Sequence, residues 1–270
     1  MPELAEVEVV RDVLNNSLKG LVITGIECSY KPIIEDDFAY FTSKVLNKRI
    51  VEIKRYAKYL IFILEDGAFI SHLRMEGKYF YVLESETISK HVHVIFHLSN
   101  GHKLLYADVR KFGRIVYKPL EEIYNTLPLS NIGVEANNPV YNRDELFKAI
   151  TNKRLPIKTV LLDQSIISGL GNIYVDEVLF ACGISPFTEA KCITLEQIDL
   201  IMNNSLRILN KAIENKGTTI RSYTSSLGVT GNYQNFLCVH TKTVCPNCKA
   251  TLGKTKINGR TSYYCPNCQK

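Results

Sequence analysis

Two closely spaced cysteine pairs near the end of the sequence constrain its fold more than any other feature. Cys245 and Cys248 form one C-x-x-C pair, and sixteen residues separate them from Cys265 and Cys268, which form the second. Each pair turns two thiolates to the same side, and four thiolates form the tetrahedral ligand set that Zn²⁺ prefers. Two disulfides would use the same cysteines, but an intracellular setting disfavours them. The spacing therefore predicts a zinc ribbon that binds one structural Zn²⁺.

The segment between the two cysteine pairs has the pattern of a β-hairpin. Two runs of strand-forming residues meet at Asn258-Gly259, a dipeptide typical of tight hairpin turns. Arg260 is therefore predicted to lie at or beside the hairpin tip. A guanidinium on a metal-braced hairpin can enter a groove or bind phosphate, although the residue also suits a solvated turn.

The excess positive charge of the chain lies in this same region. Lys and Arg number 33 against 27 Asp and Glu, while residues 215–270 contain eight basic side chains and no acidic one. A basic final segment indicates a polyanionic partner, most simply a nucleic acid. Charge alone does not distinguish DNA, RNA and an anionic protein.

The remainder of the chain shows two successive patterns. Residues 21–118 contain short apolar runs separated by D-G and N-G turns, which predicts antiparallel hairpins that close into a sandwich or barrel. Helical spacing begins near residue 143, after a Pro- and Asn-rich linker at 119–142. The expected fold class is α+β, with domains at 1–118, 143–230 and 231–270. Chemistry is expected in a cleft between domains.

The length and composition exclude several classes of protein. With 270 residues, of which 46% are hydrophobic, the chain can bury a sizeable core and is not intrinsically disordered. It has no run of eighteen apolar residues, and its start lacks the zones of a signal peptide. We therefore expect a soluble cytoplasmic protein with no membrane contact.

The start of the sequence carries a candidate nucleophile. Apolar residues at helical spacing follow Pro2, and Glu3 and Glu6 lie in the first turn of the expected helix. Removal of Met1 would expose Pro2 as a secondary amine, which can form an iminium with a sugar C1′ carbon. A plain helix start is the alternative interpretation.

A glycine-rich turn interrupts the helical half at residues 168–172, with the sequence SGLGN. The glycines allow the backbone to approach a ligand, and free amides at the following helix start favour an anion. Together with the Asn172 side chain, these amides predict a phosphate contact. A simple helix cap is the alternative.

Several separated motifs together resemble the formamidopyrimidine-DNA glycosylase family across essentially the whole chain. In chain order they are Pro2-Glu3-Leu4 with Glu6, Ala57-Lys58-Tyr59-Leu60, His72-Leu73-Arg74-Met75-Glu76-Gly77, Lys90-His91, Asp108-Val109-Arg110-Lys111-Phe112-Gly113, Asp163-Gln164, Gly171-Asn172-Ile173-Tyr174, and Gly259-Arg260 with the closing Cys265-to-Gln269 segment. The resemblance implies an N-terminal antiparallel β-sandwich preceded by a helix, a helix–two-turns–helix domain and a C-terminal zinc ribbon. It also implies a partner, double-stranded DNA that contains oxidised bases or abasic sites.

The resemblance further implies a bifunctional glycosylase and AP lyase of base excision repair. Its catalytic residues would be Pro2, Glu3, Lys58 and Arg260. Pro2 would attack C1′, Glu3 would serve as acid on the sugar oxygen, and the resulting Schiff base would permit β,δ-elimination. The resemblance also implies DNA-binding residues. Three of them would act as a wedge that fills the gap left by the extruded base, namely Met75, Arg110 and Phe112. The others are His91, Lys158 and Asn172.

The same resemblance favours oxidised purines as substrates, namely 8-oxoguanine and formamidopyrimidines. Leu4, Met75 and the loop at 216–234 resemble this branch more than the endonuclease VIII branch, which prefers oxidised pyrimidines. An oxidised-pyrimidine glycosylase of endonuclease VIII type is one alternative. The alternatives from other classes are a non-catalytic protein that binds damaged DNA and a zinc-ribbon adaptor.

The chain departs from the family pattern at three positions. Ala5, Val92 and Val109 stand where the family usually has proline, aspartate and proline. None of these departures removes a proposed catalytic group. Nothing in the sequence indicates an obligate oligomer, so we expect a monomer.

Overall fold

A computed structural model of the chain describes residues 1–218 and 231–270. Their contacts divide into two compact units, each with its own core. The first unit contains Met1–Pro2 and Glu6–Ser130, and the second contains Glu3–Ala5, Asn131–Thr218 and Asn232–Lys270. Within these residues, no helix is long and apolar enough to cross a membrane.

The first unit is an antiparallel β-sandwich preceded by a helix, whose first two residues, Leu4 and Ala5, belong to the second unit. Its elements are α1 (Leu4–Leu18), β1 (Ile23–Cys28), α2 (Phe38–Val45), β2 (Ile50–Tyr56), β3 (Tyr59–Leu64), β4 (Gly67–His72), β5 (Lys78–Leu83), β6 (Val92–Leu98), β7 (His102–Ala107) and β8 (Arg114–Pro119). One four-stranded sheet has the order β1-β6-β7-β5 and the other β2-β3-β4-β8. The tight turns at Asp66-Gly67 and Asn100-Gly101 join β3 to β4 and β6 to β7, as the sequence predicts.

Aromatic and aliphatic side chains from both sheets form the core of this unit. The Phe69 ring stacks on Phe62 with a centroid distance of 4.3 Å and on Phe96 with a distance of 5.2 Å. The apolar face of α1 contributes Val7 and Leu14 to the same cluster. Because each sheet directs one face into this cluster, the alternating strand pattern yields two packed layers.

The second unit consists of helices and a small ribbon. Its elements are β9 (Val134–Glu135), α3 (Arg143–Thr151), α4 (Ile157–Leu161), β10 (Ile167–Ser168), α5 (Asn172–Cys182), α6 (Leu195–Glu214), β11 (Gly253–Ile257) and β12 (Arg260–Tyr264). The short strands β9 and β10 pair in parallel. The side chain of Thr194 and that of Gln197 form a reciprocal capping box at the start of α6, which fixes where this helix begins.

The ribbon hairpin forms as its turn sequence predicts. Strands β11 and β12 pair antiparallel, with Ile257 opposite Arg260. Asn258 and Gly259 both have positive φ, at 46° and 76°, which is the conformation that a two-residue hairpin turn requires. Arg260 is thus the first residue after the turn. Together with the sandwich and the helices, this ribbon confirms the α+β fold class.

Candidate active site and zinc centre

The four ribbon cysteines form a metal-binding cluster. Their Sγ atoms all lie within 4.8 Å of one another, with 3.8 Å between Cys245 and Cys268 and 3.4 Å between Cys248 and Cys265. A tetrahedral site with Zn–S bonds of about 2.3 Å has sulfur–sulfur edges of about 3.8 Å. The donors therefore fit one Zn²⁺. When bound, the ion would be structural, because four protein thiolates fill its coordination shell.

Glu3 lies at the N-terminus of α5, where three backbone amides bind its carboxylate. The N–H of Gly171 donates to Oε2 at 2.7 Å, and that of Ile173 donates to Oε1 at 2.9 Å. A longer bond of 3.3 Å comes from the N–H of Tyr174. The side chain is 2% exposed. These donors hold the carboxylate in one orientation and use the positive end of the helix.

Close packing at the glycine-rich turn explains why two of its positions, 169 and 171, are occupied by glycine. A Cβ atom on Gly171 would lie 2.3 Å from Cδ of Glu3, and one on Gly169 would lie 2.3 Å from Cδ1 of Leu4. Gly169 also has a φ of +93°. The sequence interpretation assigned the amides of this turn to a DNA phosphate. The N–H of Gly171 in this turn, like those of Ile173 and Tyr174 just after it, instead binds the carboxylate of Glu3, an anion supplied by the chain itself.

Asn172, the first residue of α5, contacts the ribbon hairpin. Its Nδ2 donates to the carbonyl of Thr261 at 2.8 Å. Its Oδ1 is buried and has no hydrogen-bond partner within residues 1–218 and 231–270. Arg260, the exposed neighbour of Thr261, also lines a cavity of about 290 Å³ with Lys153 and Asp163. The second unit thus brings Asn172 to the hairpin that carries Arg260.

Lys158 is deeply buried beside the same hairpin. Its side chain is 1% exposed, and its Nζ lies 2.7 Å from Oδ1 of Asp176 and 3.1 Å from the carbonyl of Thr261. Burial lowers the pKa of Lys158, and the nearby Asp176 carboxylate opposes that shift. Two of the three N–H groups of this ammonium are therefore used within the chain.

In the first unit, Lys58 lies in the tight connection between β2 and β3. It is 4% exposed and follows Ala57, which has a φ of +52°. Arg55 donates from Nη1 to the carbonyl of Ala57 at 2.9 Å and also bonds Glu8 of α1. This arrangement ties the backbone next to Lys58 to the helix that follows Pro2, which is itself buried.

His72 lies near these residues at the end of β4. Its Nδ1 accepts a hydrogen bond of 2.9 Å from the N–H of Arg74. Burial, together with the positive charges of Arg74 and Lys58, lowers the pKa of His72 to about 3. The imidazole is therefore neutral at physiological pH.

The predicted wedge residues lie on two loops of the first unit. The buried Asp108 carboxylate organises one of them by accepting hydrogen bonds of 3.0, 2.9 and 2.8 Å from the N–H groups of Arg110, Phe112 and Gly113. The Arg110 guanidinium lies 4.8 Å from the centroid of the Phe112 ring, which is 48% exposed. Met75, on the loop after β4, is 37% exposed.

A cavity connects these loops with His91. Its volume is about 170 Å³, and its lining includes His91, Glu76, Asp108 and Val109. The N–H of Asp108 also donates to the carbonyl of His91 at 3.0 Å. His91 therefore lies beside both wedge loops. The predicted lid at 216–234 falls largely on residues 219–230, which lie outside the described residues.

Sequence reasoning missed the acidic residues that organise these groups. The sequence pattern assigns no function to the carboxylates of Asp108, Asp176 and Glu177. Asp176 is 1% and Glu177 3% exposed, and Glu177 accepts the N–H groups of Cys238, Val239 and His240. Two adjacent acids inside the apolar stretch of α5 were the available signal, because buried carboxylates need partners.

Three family models match successive parts of the chain. They are described as formamidopyrimidine-DNA glycosylase N-terminal domain over residues 1–115, formamidopyrimidine-DNA glycosylase H2TH domain over 132–224, and zinc finger found in FPG and IleRS over 243–270. A curated relative from Pelotomaculum thermopropionicum, named formamidopyrimidine-DNA glycosylase, is 40% identical over 100% of this chain and 99% of its own length.

Solved structures give the same result. A complex between the Lactococcus lactis Fpg and abasic-site DNA is 37% identical with a TM-score of 0.94. A structure of MutM with DNA that contains carbocyclic 8-oxo-G is 38% identical with a TM-score of 0.93. Both comparisons cover 100% of this chain and 100% of the other.

Proposed function

Because this chain belongs to the formamidopyrimidine-DNA glycosylase family, we propose that Pro2 becomes its nucleophile once Met1 has been removed. The chain is a DNA glycosylase and AP lyase of base excision repair, and DNA is its partner. The proposal concerns which of its residues perform each step and which lesion it prefers.

The main support for this proposal is the position of the Glu3 carboxylate at the N-terminus of α5. Three backbone amides and a buried setting fix a proton-transferring group one residue from the proposed nucleophile. A group that is already oriented avoids the cost of being ordered during the reaction. The close fit of Gly171 against Glu3 shows that the surrounding backbone is built around this carboxylate.

The proposed chemistry begins at C1′ of the damaged nucleoside. The lone pair of the Pro2 nitrogen forms a bond to C1′, the glycosidic bond breaks, and the base leaves after taking a proton. The proton released by the resulting ammonium nitrogen of Pro2 passes to the Glu3 carboxylate, which donates it to the sugar ring oxygen, so that the ring opens to an iminium. Loss of a C2′ proton expels the 3′ phosphate, and a second elimination expels the 5′ phosphate.

Basic groups are proposed to bind the DNA backbone around this centre. Lys58 would contact a phosphate near the lesion, and Arg260 with Asn172 would bind the flanking phosphates. These contacts are electrostatic and are expected to weaken as salt rises. His91 is the further proposed DNA contact from the first unit. Lys158 belongs to the same proposed site, where it would act through its contact with the hairpin that carries Arg260.

The exposed wedge residues are proposed to support extrusion of the damaged base. A flipped base leaves a gap in the stack, and its extrusion costs a few kcal/mol. Met75 and Phe112 offer apolar surface, while Arg110 offers donors to the unpaired opposite base. Their exposure and the Asp108-braced loop support this role.

Oxidised purines are the proposed substrates. The similar MutM structure contains carbocyclic 8-oxo-G in its DNA, and Leu4 and Met75 resemble the purine-specific branch. We also propose that the chain acts as a monomer in the bacterial cytoplasm. The sequence-predicted domain limits, 1–118, 143–230 and 231–270, remain proposals that limited proteolysis tests.

Cleavage of two matched duplexes tests the lesion preference. One carries 8-oxoguanine opposite cytosine and the other carries thymine glycol opposite adenine. We expect faster cleavage of the purine lesion, with phosphate at both ends of the resulting one-nucleotide gap. Faster cleavage of thymine glycol would place the chain with the pyrimidine-specific enzymes. Binding without cleavage of either duplex would indicate a non-catalytic damaged-DNA-binding protein.

A further inference from the structure

Two donors from different helices, the buried Lys158 and the half-buried Asn172, converge on one backbone carbonyl of the ribbon hairpin. Nζ of Lys158, in α4, lies 3.1 Å from the carbonyl oxygen of Thr261, and Nδ2 of Asn172, in α5, lies 2.8 Å from it. Thr261 directly follows Arg260 in β12. The Thr261–Ser262 peptide plane, one residue beyond Arg260, is therefore held from two sides.

The carboxylate of Asp176 binds both Lys158 and the same hairpin. Its Oδ1 accepts from Lys158, while its Oδ2 lies 2.8 Å from Nδ1 of His240 and accepts the N–H of Tyr263 at 3.3 Å. The Asp176 side chain is fully buried. A buried carboxylate with three partners resists displacement, because loss of any partner leaves a charge or a donor unsatisfied.

A further contact fixes the turn itself. Nδ2 of Asn258 donates to Oγ1 of Thr159 at 3.1 Å, and Thr159 is the residue next to Lys158. The turn before Arg260 and the carbonyl of the residue after it, Thr261, are thus both bound to α4. The ammonium of Lys158 is engaged in these internal contacts and is 1% exposed, so it is not presented to a ligand at the surface.

We propose that Lys158 and Asp176 are positioning residues for Arg260: their buried ion pair sets the hairpin so that the guanidinium meets a DNA phosphate. Lys158 then contributes to DNA binding only through Arg260 and makes no DNA contact of its own. This proposal rests on the proposed role of Arg260 as a phosphate-binding residue.

A double-mutant cycle on the full-length, zinc-loaded protein tests this coupling. The variants are Lys158→Met, Arg260→Ala and the two combined, and the probe is a duplex that contains a tetrahydrofuran abasic-site analogue. Binding is measured over a range of salt concentrations. Zinc content and thermal unfolding are recorded for each variant, so that folded protein is compared with folded protein.

We expect Arg260→Ala to weaken binding about tenfold or more, since it removes a charge-assisted contact. Lys158→Met should weaken binding in the parent protein and reduce the slope of log K against log salt by about 0.9, as one lost phosphate contact does. In the Arg260→Ala background, Lys158→Met should change the binding constant by less than about twofold. It should change the slope of log K against log salt by less than about 0.3.

Different failures identify different errors. If the effects of the two substitutions multiply, Lys158 acts independently of Arg260, and the positioning proposal is wrong although the proposed function stands. A general loss of folded protein would also give multiplying effects, and the zinc content and thermal unfolding of each variant identify that case. If Arg260→Ala leaves affinity unchanged, the role of Arg260 in the proposed function fails, and the positioning proposal fails with it.

A milder substitution covers the case in which Lys158→Met does not fold. Asp176→Asn keeps an oxygen near Lys158 and His240 but removes the negative charge. The same cycle with Arg260→Ala should again show an effect in the parent background and none in the variant background. Equal effects in both backgrounds would overturn the proposal.

Discussion

The β-sandwich and the zinc ribbon are stabilised by different physical means. The sandwich buries apolar side chains from two sheets and α1, including the stacked rings of Phe62, Phe69 and Phe96. The buried cluster of the ribbon contains Phe180, Val239 and Leu252 together with two of the metal-binding cysteines. Apolar burial therefore accounts for the first region, while the second depends on its metal.

This difference separates the two kinds of functional group in the chain. The ribbon carries Arg260 on a hairpin whose position depends on thiolates and on buried polar contacts to α4 and α5. The sandwich carries the proposed wedge residues on loops outside a large apolar core. Metal loss should thus affect phosphate binding selectively, whereas core mutations should lower the stability of the sandwich and leave the metal bound.

The largest expected effect comes from removing a zinc ligand. Cys265→Ser should abolish stoichiometric zinc binding. It should also weaken binding to an abasic-site duplex by more than about 100-fold, because metal binding supplies about 10 kcal/mol or more to the folding of small zinc modules. Elemental analysis and fluorescence anisotropy measure the two quantities. Cys192→Ser, at an exposed cysteine outside the ribbon, is the control. Full DNA affinity without zinc would show that DNA binding by the ribbon does not depend on its metal.

A cavity in the sandwich core should have a smaller effect of a different kind. Phe69→Ala removes a fully buried ring and should lower the free energy of unfolding by about 3–5 kcal/mol. Calorimetry should show this loss while zinc content stays at one per chain. Leu127→Ala, at a residue that is 66% exposed, should change stability by less than about 0.5 kcal/mol. Zinc loss in the Phe69 variant would show that the two regions depend on each other.

A pH effect confined to the sandwich should be smaller again. Burial lowers the pKa of His72 to about 3, whereas an unfolded histidine titrates near 6.5. Below pH 6.5 the unfolded chain takes up a proton that the folded chain does not, so stability falls as pH falls. The loss should be about 2 kcal/mol between pH 6.5 and 5.

The variant His72→Asn isolates this contribution, because it keeps a hydrogen-bond acceptor for the N–H of Arg74 but does not titrate. Denaturant unfolding of both proteins at pH 7 and pH 5 gives the comparison. We expect the variant to lose less stability than the parent over this interval. Equal losses would show that His72 is not the group responsible.

Features encoded by neighbouring residues were predictable from the sequence. The zinc ligands lie in two short motifs, and the hairpin turns at Asp66-Gly67 and Asn258-Gly259 have residues that such turns require. The helical and strand regions follow from apolar spacing. The fold class, the zinc ligands and the enzyme family are accordingly confirmed.

Contacts between distant residues were not predictable in the same way. The anion at the α5 N-terminus is Glu3, which lies 168 positions before Gly171, and no local pattern identifies which anion a helix start binds. Likewise Asp176 meets His240 across 64 positions. These pairs depend on how the elements pack, and a single sequence does not encode that packing in any short window.

Trapping the covalent intermediate tests the central claim, that Pro2 is the nucleophile, most directly. The purified protein without Met1 is mixed with a duplex that carries 8-oxoguanine opposite cytosine, borohydride is added, and the cross-linked residue is mapped by mass spectrometry. The account predicts a stable adduct on the nitrogen of Pro2. An adduct on a lysine such as Lys58, or strand cleavage with no adduct, would contradict it.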